Sequence, residues 1–245
     1  MDIIKKLAQE LAIKEEQAKA AVQLIDEGNT IPFIARYRKE MTGALNDETL
    51  RNLHERLLYL RNLEEKKEQV INAITDQGKM TEDLKKKILS AETLVAVDDL
   101  YRPYRPKKQT RATKAKEKGL EPLANILLLQ KTTKSMEEEA AAFVNAEKGV
   151  ANAKEAIAGA KDIIAEMIAD MADYRKSIRN CTMKQGSLVV KAKDEKAESV
   201  YEMYYDFREP LSKVTGYRVL AINRGEKEKF LTVKVEAPDV QIVNA

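Results

Sequence analysis

The sequence predicts a mainly α-helical fold: a multi-helix bundle around one long central helix, with a small β element near the C-terminus. Three observations predict this class. Charged residues make up 34 % of the 245 residues and aromatic residues only 5 %, which indicates a highly charged and mostly helical surface. Apolar residues recur at helical spacing through most of the first 185 residues, and valine-rich alternating segments follow them. We expect about eight to ten helices.

The N-terminal region predicts short helices that resemble a helix-turn-helix. Residues 3–12 and 14–27 carry apolar residues at helical spacing, and Gly28 fits the left-handed position that ends a helix. Thr30 and Pro32 then fit the N-cap and first turn of another helix, where proline's missing N–H costs nothing. Any helical bundle produces the same pattern, so a helix-turn-helix is one interpretation of it.

One long helix is predicted over residues 45–78. Asn46 fits its N-cap and Gly78 its end, and about 30 residues at ~1.5 Å each give a rod of roughly 45 Å. His54 lies beside its apolar stripe, where we expect a histidine packed at the edge of the core. The residues of the predicted stripe are Leu50, Leu53, Leu57, Leu60, Val70, Ile71 and Ile74.

Shorter helices are predicted from residue 81 onward, in segments 81–94, 119–130, 135–147 and 152–180. Two of them begin with the spacing of a capping box, Ser135 with Glu138 and Asn152 with Glu155. The last carries small or apolar residues at helical spacing, a face that allows close helix packing. These residues are Ala156, Gly159, Ala160 and Ile163.

The C-terminal segments alternate apolar and polar residues in the manner of strands. We expect strands at residues 186–193, 216–225 and 229–237, with 223–228 as a candidate hairpin turn. Two or three short strands form only a marginal sheet on their own.

The composition argues against catalysis and against a membrane protein. One histidine and one cysteine cannot form a Cys/His metal cluster or an internal disulfide, and no glycine-rich loop follows a strand. We therefore expect no catalytic residues, no metal, no cofactor and no enzyme activity. The absence of a long apolar run and of a signal core predicts a soluble, cytoplasmic protein.

The sequence "DDLYRPYRPKKQTRATKAKEKG", residues 98–119, is the strongest candidate for a binding site. Between residues 101 and 118 it holds eight lysines and arginines against one acid, although the whole chain carries a net charge of only +3. A local patch of this kind can neutralise phosphates, and its tyrosines can stack on bases. The candidate nucleic-acid-binding residues here are Arg102, Arg105, Lys107, Lys108, Arg111 and Lys114.

Two interpretations of this stretch stay open. Pro103 and Pro106 favour an extended, polyproline-like backbone that would present the tyrosines and arginines on alternating sides. Alternatively, the stretch is a structural strap whose arginine and tyrosine groups bond to neighbouring helices. Arg36 and Arg38 pose the same choice, since they follow the proline-started helix. Either a recognition helix exposes them, or they cap the long helix while Phe33, Ile34 and Tyr37 are buried.

Four phrases together resemble one family, that of the bacterial transcription accessory protein Tex. They occur in the family's order and cover nearly the whole chain. The phrases are "TIPFIARYRKEMTGALND", "YRPYRPKKQTRATKAKEKGLEPLA", "FVNAEKGVANAKEAIAGAKDIIAEMIAD" and "YYDFREPLSKVTGYRVLAINRGEKE".

The resemblance is to the N-terminal part of such proteins. It implies that the chain is a fragment without the RNase H-like, helix-hairpin-helix and OB-fold domains. The implied regions are 1–130, helical, helix-turn-helix-like and containing the basic Tyr-Arg-Pro strap; 131–185, also helical; and 186–245, a small β/α segment leading into the RNase H-like domain.

The implied function is a transcription accessory scaffold that binds RNA or DNA weakly and without sequence preference, with the transcription machinery as a further implied partner. The alternative is a helical protein-interaction adaptor for that machinery, without direct nucleic-acid contact. The family assigns no catalytic residue to this region.

Overall fold

A computed structural model describes residues 2–106 and 108–244 of the chain. The chain divides into two compact units between residues 107 and 108. Thirteen α-helices and one three-stranded antiparallel sheet occur in the described part, so the mainly α class is confirmed. No helix in these two ranges is both long enough and apolar enough to cross a bilayer. The division into 1–130, 131–185 and 186–245 stays a prediction.

The expected eight to ten helices are too few for two reasons. Three helices form where none was predicted, at Arg111–Glu117, Gly216–Lys227 and Asp239–Val243, and two predicted helices are each broken by an extended residue. Segment 81–94 becomes two helices, since the backbone of Ala91 has ψ 132°. Segment 152–180 breaks at Met171, where ψ is 117°. An extended residue interrupts the backbone hydrogen bonds of a helix, so each segment continues as a new one.

The first unit is helical throughout its regular structure. Gly28 and Gly78, with φ +84° and +67°, have the left-handed conformation predicted for them at helix ends. A helix-turn-helix function for the helices flanking Gly28 stays a prediction. The α-helices of residues 2–106 are α1 (Ile3–Glu10), α2 (Glu15–Asp26), α3 (Ile31–Tyr37), α4 (Asp47–Asp76), α5 (Glu82–Ser90) and α6 (Leu94–Tyr101).

The long helix α4 forms the centre of the first unit's core. Asn46 caps it as predicted, because its side-chain oxygen accepts a hydrogen bond from the Thr49 amide at 2.7 Å. All predicted stripe residues are buried except Ile71, which is half-buried, and His54 is half-buried beside them. Helices α1, α2, α3, α5 and α6 contribute most of the other apolar residues of this core, and Leu45 and Ala91 contribute from the loops.

The second unit begins with five helices. The predicted small-residue face is confirmed, since Ala156, Ala160 and Ile163 are fully buried. Ser135 and Asn152 cap their helices by accepting bonds from the Glu138 and Glu155 amides at 3.2 and 2.9 Å. The five helices are α7 (Arg111–Glu117), α8 (Glu121–Leu129), α9 (Met136–Ala141), α10 (Ala153–Asp170) and α11 (Ala172–Gln185).

The sheet of this unit has the order β2-β1-β3, with the central strand antiparallel to both neighbours. Ser187 pairs with Pro210 on one side and with Glu236 on the other. The remaining elements are β1 (Ser187–Ala192), β2 (Asp206–Pro210), α12 (Gly216–Lys227), β3 (Leu231–Glu236) and α13 (Asp239–Val243).

Two of the three predicted strands are confirmed, but the prediction for residues 216–225 is wrong, since they begin α12. The buried residues of α12 are Ile222 and Gly225, three positions apart, which is helical spacing. The hairpin turn predicted at 223–228 is therefore wrong as well. The chain reverses at Lys229, with φ +69°, after the helix has ended.

Candidate nucleic-acid interface

Residues 102–104 of the Tyr-Arg-Pro segment (residues 101–106) do not have the extended backbone predicted for them, whereas Arg105 does, with ψ 132°. Arg102–Tyr104 form a single 3-10 turn that continues from α6. The Arg105 amide donates to the Tyr101 carbonyl at 3.1 Å. Pro103 lies near the start of this turn, where its missing N–H is not needed, while Arg105 has the extended backbone expected for a residue that precedes a proline, here Pro106.

Arg105 is held against its own unit. Its Nη2 donates to Asp98 Oδ1 at 3.0 Å, and its guanidinium lies 5.5 Å from the centre of the Tyr101 ring. Gln77 Nε2 donates to the Tyr104 carbonyl at 3.0 Å. Tyr101 and Tyr104 both pack against the core of α4. These contacts favour the strap interpretation for Arg105, which stays a prediction; Arg102 lies exposed in the same turn.

The remaining basic candidates of the stretch belong to the second unit. Lys107 lies outside the described residues, and Lys108 is exposed. Thr110 fixes the start of α7, because its hydroxyl accepts from the Thr113 amide at 3.1 Å and donates to Glu166 Oε2 of α10 at 2.8 Å. These two hydrogen bonds fix the orientation of α7 and therefore of the side chains on its surface.

One side of α7 carries a row of cations. Arg111, Lys114 and Lys118 follow at i, i+3 and i+7 and therefore share a face, which we call the basic face of α7. They line an open groove of ≈ 260 Å³. Its opposite side belongs to α10 and includes Glu155 and Asp162.

The cations of the basic face differ in how they are paired. Arg111 Nε lies 3.5 Å from Asp162 Oδ1, yet 87 % of its side chain is exposed. Lys118 Nζ donates to the Gly149 carbonyl at 2.8 Å. Lys114 makes no ion pair or side-chain hydrogen bond with any residue in ranges 2–106 and 108–244. Lys148 adds a charge nearby, since a Cβ on Gly119 would lie 3.7 Å from its Nζ.

In the first unit, Arg36 and Arg38 are exposed at the end of α3. Arg38 lies over the Phe33 ring at 5.1 Å, while Arg36 has no ion-pair partner among the described residues. The interpretation that they cap the long helix is wrong, because Asn46 does so. Tyr37, expected to be buried, is 60 % exposed, whereas Ile34 is fully buried.

The predicted binding residues do not include Lys118, Lys148 or Tyr37, although Lys118 was counted in the basic stretch and Tyr37 was expected to be buried. The i, i+3, i+7 spacing from Arg111 was a usable signal for Lys118. No pattern in the sequence indicated that Lys148 lies beside Gly119, because the fold of the chain brings these two residues together. Across residues 2–106 and 108–244, no group of three or more His, Cys, Asp or Glu residues is placed to hold a metal ion.

Fold and site together define a mainly α-helical protein that displays exposed cationic surfaces. Residues 1–75 match the Tex-like protein N-terminal domain, and residues 131–244 match the Tex central region-like family. The chain belongs to the Tex family.

Several relatives share this similarity over nearly the whole chain. Identity is 45 % with Protein YhgF of Escherichia coli, over 94 % of the chain and 30 % of that protein. It is 41 % with Transcriptional accessory protein Tex of Neisseria gonorrhoeae, over 96 % and 31 %. It is 33 % with human S1 RNA-binding domain-containing protein 1, over 97 % and 24 %. The chain thus spans less than a third of the length of these relatives.

Proposed function

We propose that this chain is part of a transcription accessory scaffold that associates with nucleic acid through the basic face of α7 and performs no catalysis itself. The names of its relatives, a transcriptional accessory protein and an S1 RNA-binding domain-containing protein, support the general role. The observation that carries the proposal is the row Arg111, Lys114 and Lys118 along an open groove.

The basic face suits phosphates better than base edges. Lysine and arginine neutralise phosphates wherever the backbone of the nucleic acid passes, and such contacts carry no sequence information. Glu155 and Asp162 on the opposite side of the groove oppose the attraction. We therefore expect weak, sequence-independent binding of RNA or DNA that decreases steeply with salt.

The test compares two lysines of the same helix. Lys114 is unpaired on the basic face, whereas Lys116 Nζ lies 3.3 Å from Glu121 Oε1. Lys114→Gln should weaken binding of a labelled duplex, and adding Arg111→Gln should flatten the slope of log affinity against log salt by about 2. Lys116→Gln, the matched control, removes the same charge and should change the slope much less.

Fluorescence anisotropy at several salt concentrations measures the slope, and thermal melts of the same samples verify folding. Equal slopes for the Lys114 and Lys116 variants would overturn the assignment to the basic face. Metal-dependent turnover in a nuclease or phosphatase screen would overturn the non-catalytic part of the proposal.

A second candidate function, a protein-interaction adaptor without nucleic-acid contact, is favoured by α11. This 14-residue helix has no buried residue, and Tyr174 and Ile178 are 48 % and 42 % exposed one turn apart. Under this alternative, Tyr174→Ser with Ile178→Ser abolishes co-purification with purified RNA polymerase, while the basic-face variants have no effect on any binding.

A further inference from the structure

The turn that follows α3 forms a surface outside the basic face of α7. Tyr37 and Met41 are 60 % and 52 % exposed there, although both are large and largely apolar. They line an open groove of ≈ 580 Å³ together with cations and carboxylates. The charged residues lining this groove are Glu27, Arg36, Arg38, Lys39 and Glu40.

The exposed side chains are carried by a fixed backbone. The Thr42 hydroxyl, fully buried, donates to the Arg38 carbonyl at 3.2 Å. Gln17 Nε2 of α2 donates to the carbonyls of Thr42 and Gly43 at 3.3 and 3.0 Å. The turn is therefore held to α2 from its inner side, while its outer side presents residues 36–41 to solvent.

The Tyr37 ring is also held in place. Its centroid lies 5.3 Å from that of Phe33, with the two planes inclined by 45°, and Arg38 covers the Phe33 ring at 5.1 Å. A ring supported in this way loses little rotamer freedom when a ligand stacks on it. Large exposed aromatic residues with adjacent cations are the elements of a stacking platform.

We propose that Tyr37, flanked by Arg36 and Lys39, binds single-stranded nucleic acid by stacking one base on the Tyr37 ring. In a single strand the bases are free to stack on aromatic side chains, whereas in a duplex they are stacked on one another. Arg36 and Lys39 have no ion-pair partner within the described ranges and can contact the flanking phosphates.

The carboxylates of Glu27 and Glu40 fit this occupant as well. Three cations against two acids leave little net charge, which disfavours a purely electrostatic, duplex-binding surface. Carboxylates accept hydrogen bonds from the amino groups of bases, and a single strand leaves both hydrogens of each amino group free, whereas a duplex uses one of them in the base pair. The inference rests on the proposed association with nucleic acid and names a second surface and a strand type.

The experiment uses a single-stranded oligonucleotide containing 2-aminopurine, whose fluorescence changes on stacking. Tyr37→Leu should weaken binding about tenfold and abolish the fluorescence change, whereas Tyr37→Phe, which keeps the ring, should retain both. Arg36→Gln with Lys39→Gln should weaken binding while keeping the fluorescence change at saturation. Arg51→Gln removes an arginine paired with Asp47 and is the charge control, expected to have no effect.

The outcomes separate this inference from the proposed function. If Tyr37→Leu binds like the unmodified protein while Lys114→Gln is weakened, the Tyr37 surface is not a binding site and the proposed function stands. If no variant changes binding, or if the unmodified protein binds no nucleic acid, both are overturned. Tyr37 is mostly exposed, so a thermal melt of Tyr37→Leu should match that of the unmodified protein.

Discussion

Gly159 of α10 lies directly against Leu120, so that a Cβ at residue 159 would overlap Leu120 Cδ1 and lie 3.3 Å from Ala115 Cβ. Leu120 is 1 % exposed, and its side chain is enclosed by the core of the second unit. The close approach of α7 and α10 thus depends on the missing side chain at residue 159. This close approach of the two helices also forms the groove, lined by the basic face of α7, to which we assign nucleic-acid binding.

Gly159→Ala should therefore destabilise the second unit. In an isolated helix, replacing glycine by alanine stabilises the helix by ~1 kcal/mol. In a packed core, the extra methyl group costs on the order of 2 kcal/mol, because neighbouring side chains must move. We expect a net loss of about 1 kcal/mol, measured by chemical denaturation. Ala158→Ser, at the exposed neighbouring position, should cost less than ~0.5 kcal/mol. A stabilising effect of Gly159→Ala would contradict the close packing.

Lys67→Met should destabilise the first unit. The Lys67 side chain is 2 % exposed, and its Nζ donates to Glu64 Oε1 at 2.8 Å and to the Leu89 carbonyl at 2.9 Å. Methionine fills a similar volume but leaves both oxygens without this donor, a loss of about 2 kcal/mol.

Urea denaturation measures this loss, with Lys86→Met as the control at an exposed lysine. Burial raises the pKa of Glu64, but hydrogen bonding and attraction from positive groups, Lys67 first among them, together outweigh burial and hold the pKa below its usual value. Lys67→Met should therefore raise the pKa of Glu64, which NMR titration detects. An unchanged midpoint in urea would mean that the buried lysine is not required.

The first unit should lose stability on acidification. Hydrogen bonds from Arg56 and Arg61 lower the pKa of Glu10 and of Asp26, respectively. Because these pKa values are lower in the folded state, the stabilisation is present above the unfolded pKa of about 4 and is lost as the pH falls through the folded value. Both pairs are partly exposed, so each contributes ~1 kcal/mol or less.

Hydrogen exchange of α4 peptides between pH 6 and pH 3 measures this dependence for the first unit alone, after correction for intrinsic exchange rates. Arg61→Gln removes both 2.7 Å hydrogen bonds to Asp26 and should flatten the acid dependence. Arg36→Gln, at an arginine without an ion-pair partner in the described part, should leave it unchanged. If both variants had the same acid dependence, the Arg61–Asp26 pair would not be its source.

Asp98→Asn should loosen the Tyr-Arg-Pro segment without affecting nucleic-acid binding by the basic face. Asp98 accepts the bond from Arg105, and Lys66 Nζ lies 3.7 Å from it, so the change weakens two contacts. All three side chains are partly exposed, and the expected cost is below ~1 kcal/mol.

Faster hydrogen exchange of residues 101–106 would reveal the change, with Glu68→Gln as a control at an exposed carboxylate of α4. A steeper salt dependence of binding in Asp98→Asn would instead mean that the released Arg105 contacts the nucleic acid.

Local signals allowed much of the fold to be predicted. Asn46, Gly78 and the leucine stripe defined α4 from end to end, because caps, left-handed glycines and apolar periodicity act within a few residues. The same locality explains why the small-residue face around Gly159 was recognisable. It also explains why the concentration of charge between residues 98 and 119 identified a candidate surface.

The sequence by itself determined the helical class, the long helix and the location of the basic stretch. Only the tertiary structure decided that residues 216–225 are a helix, that Arg105 is tied to Asp98 while Lys114 is unpaired, and that Tyr37 is exposed. Each of these depends on a partner in another element or turn, which helical or strand periodicity does not reveal: Leu231 against Gly225, Asp98 beside Arg105, and Gln17 beneath the turn after Tyr37. Alternation in a short segment fits a strand or a helix face equally well, and packing selects between them.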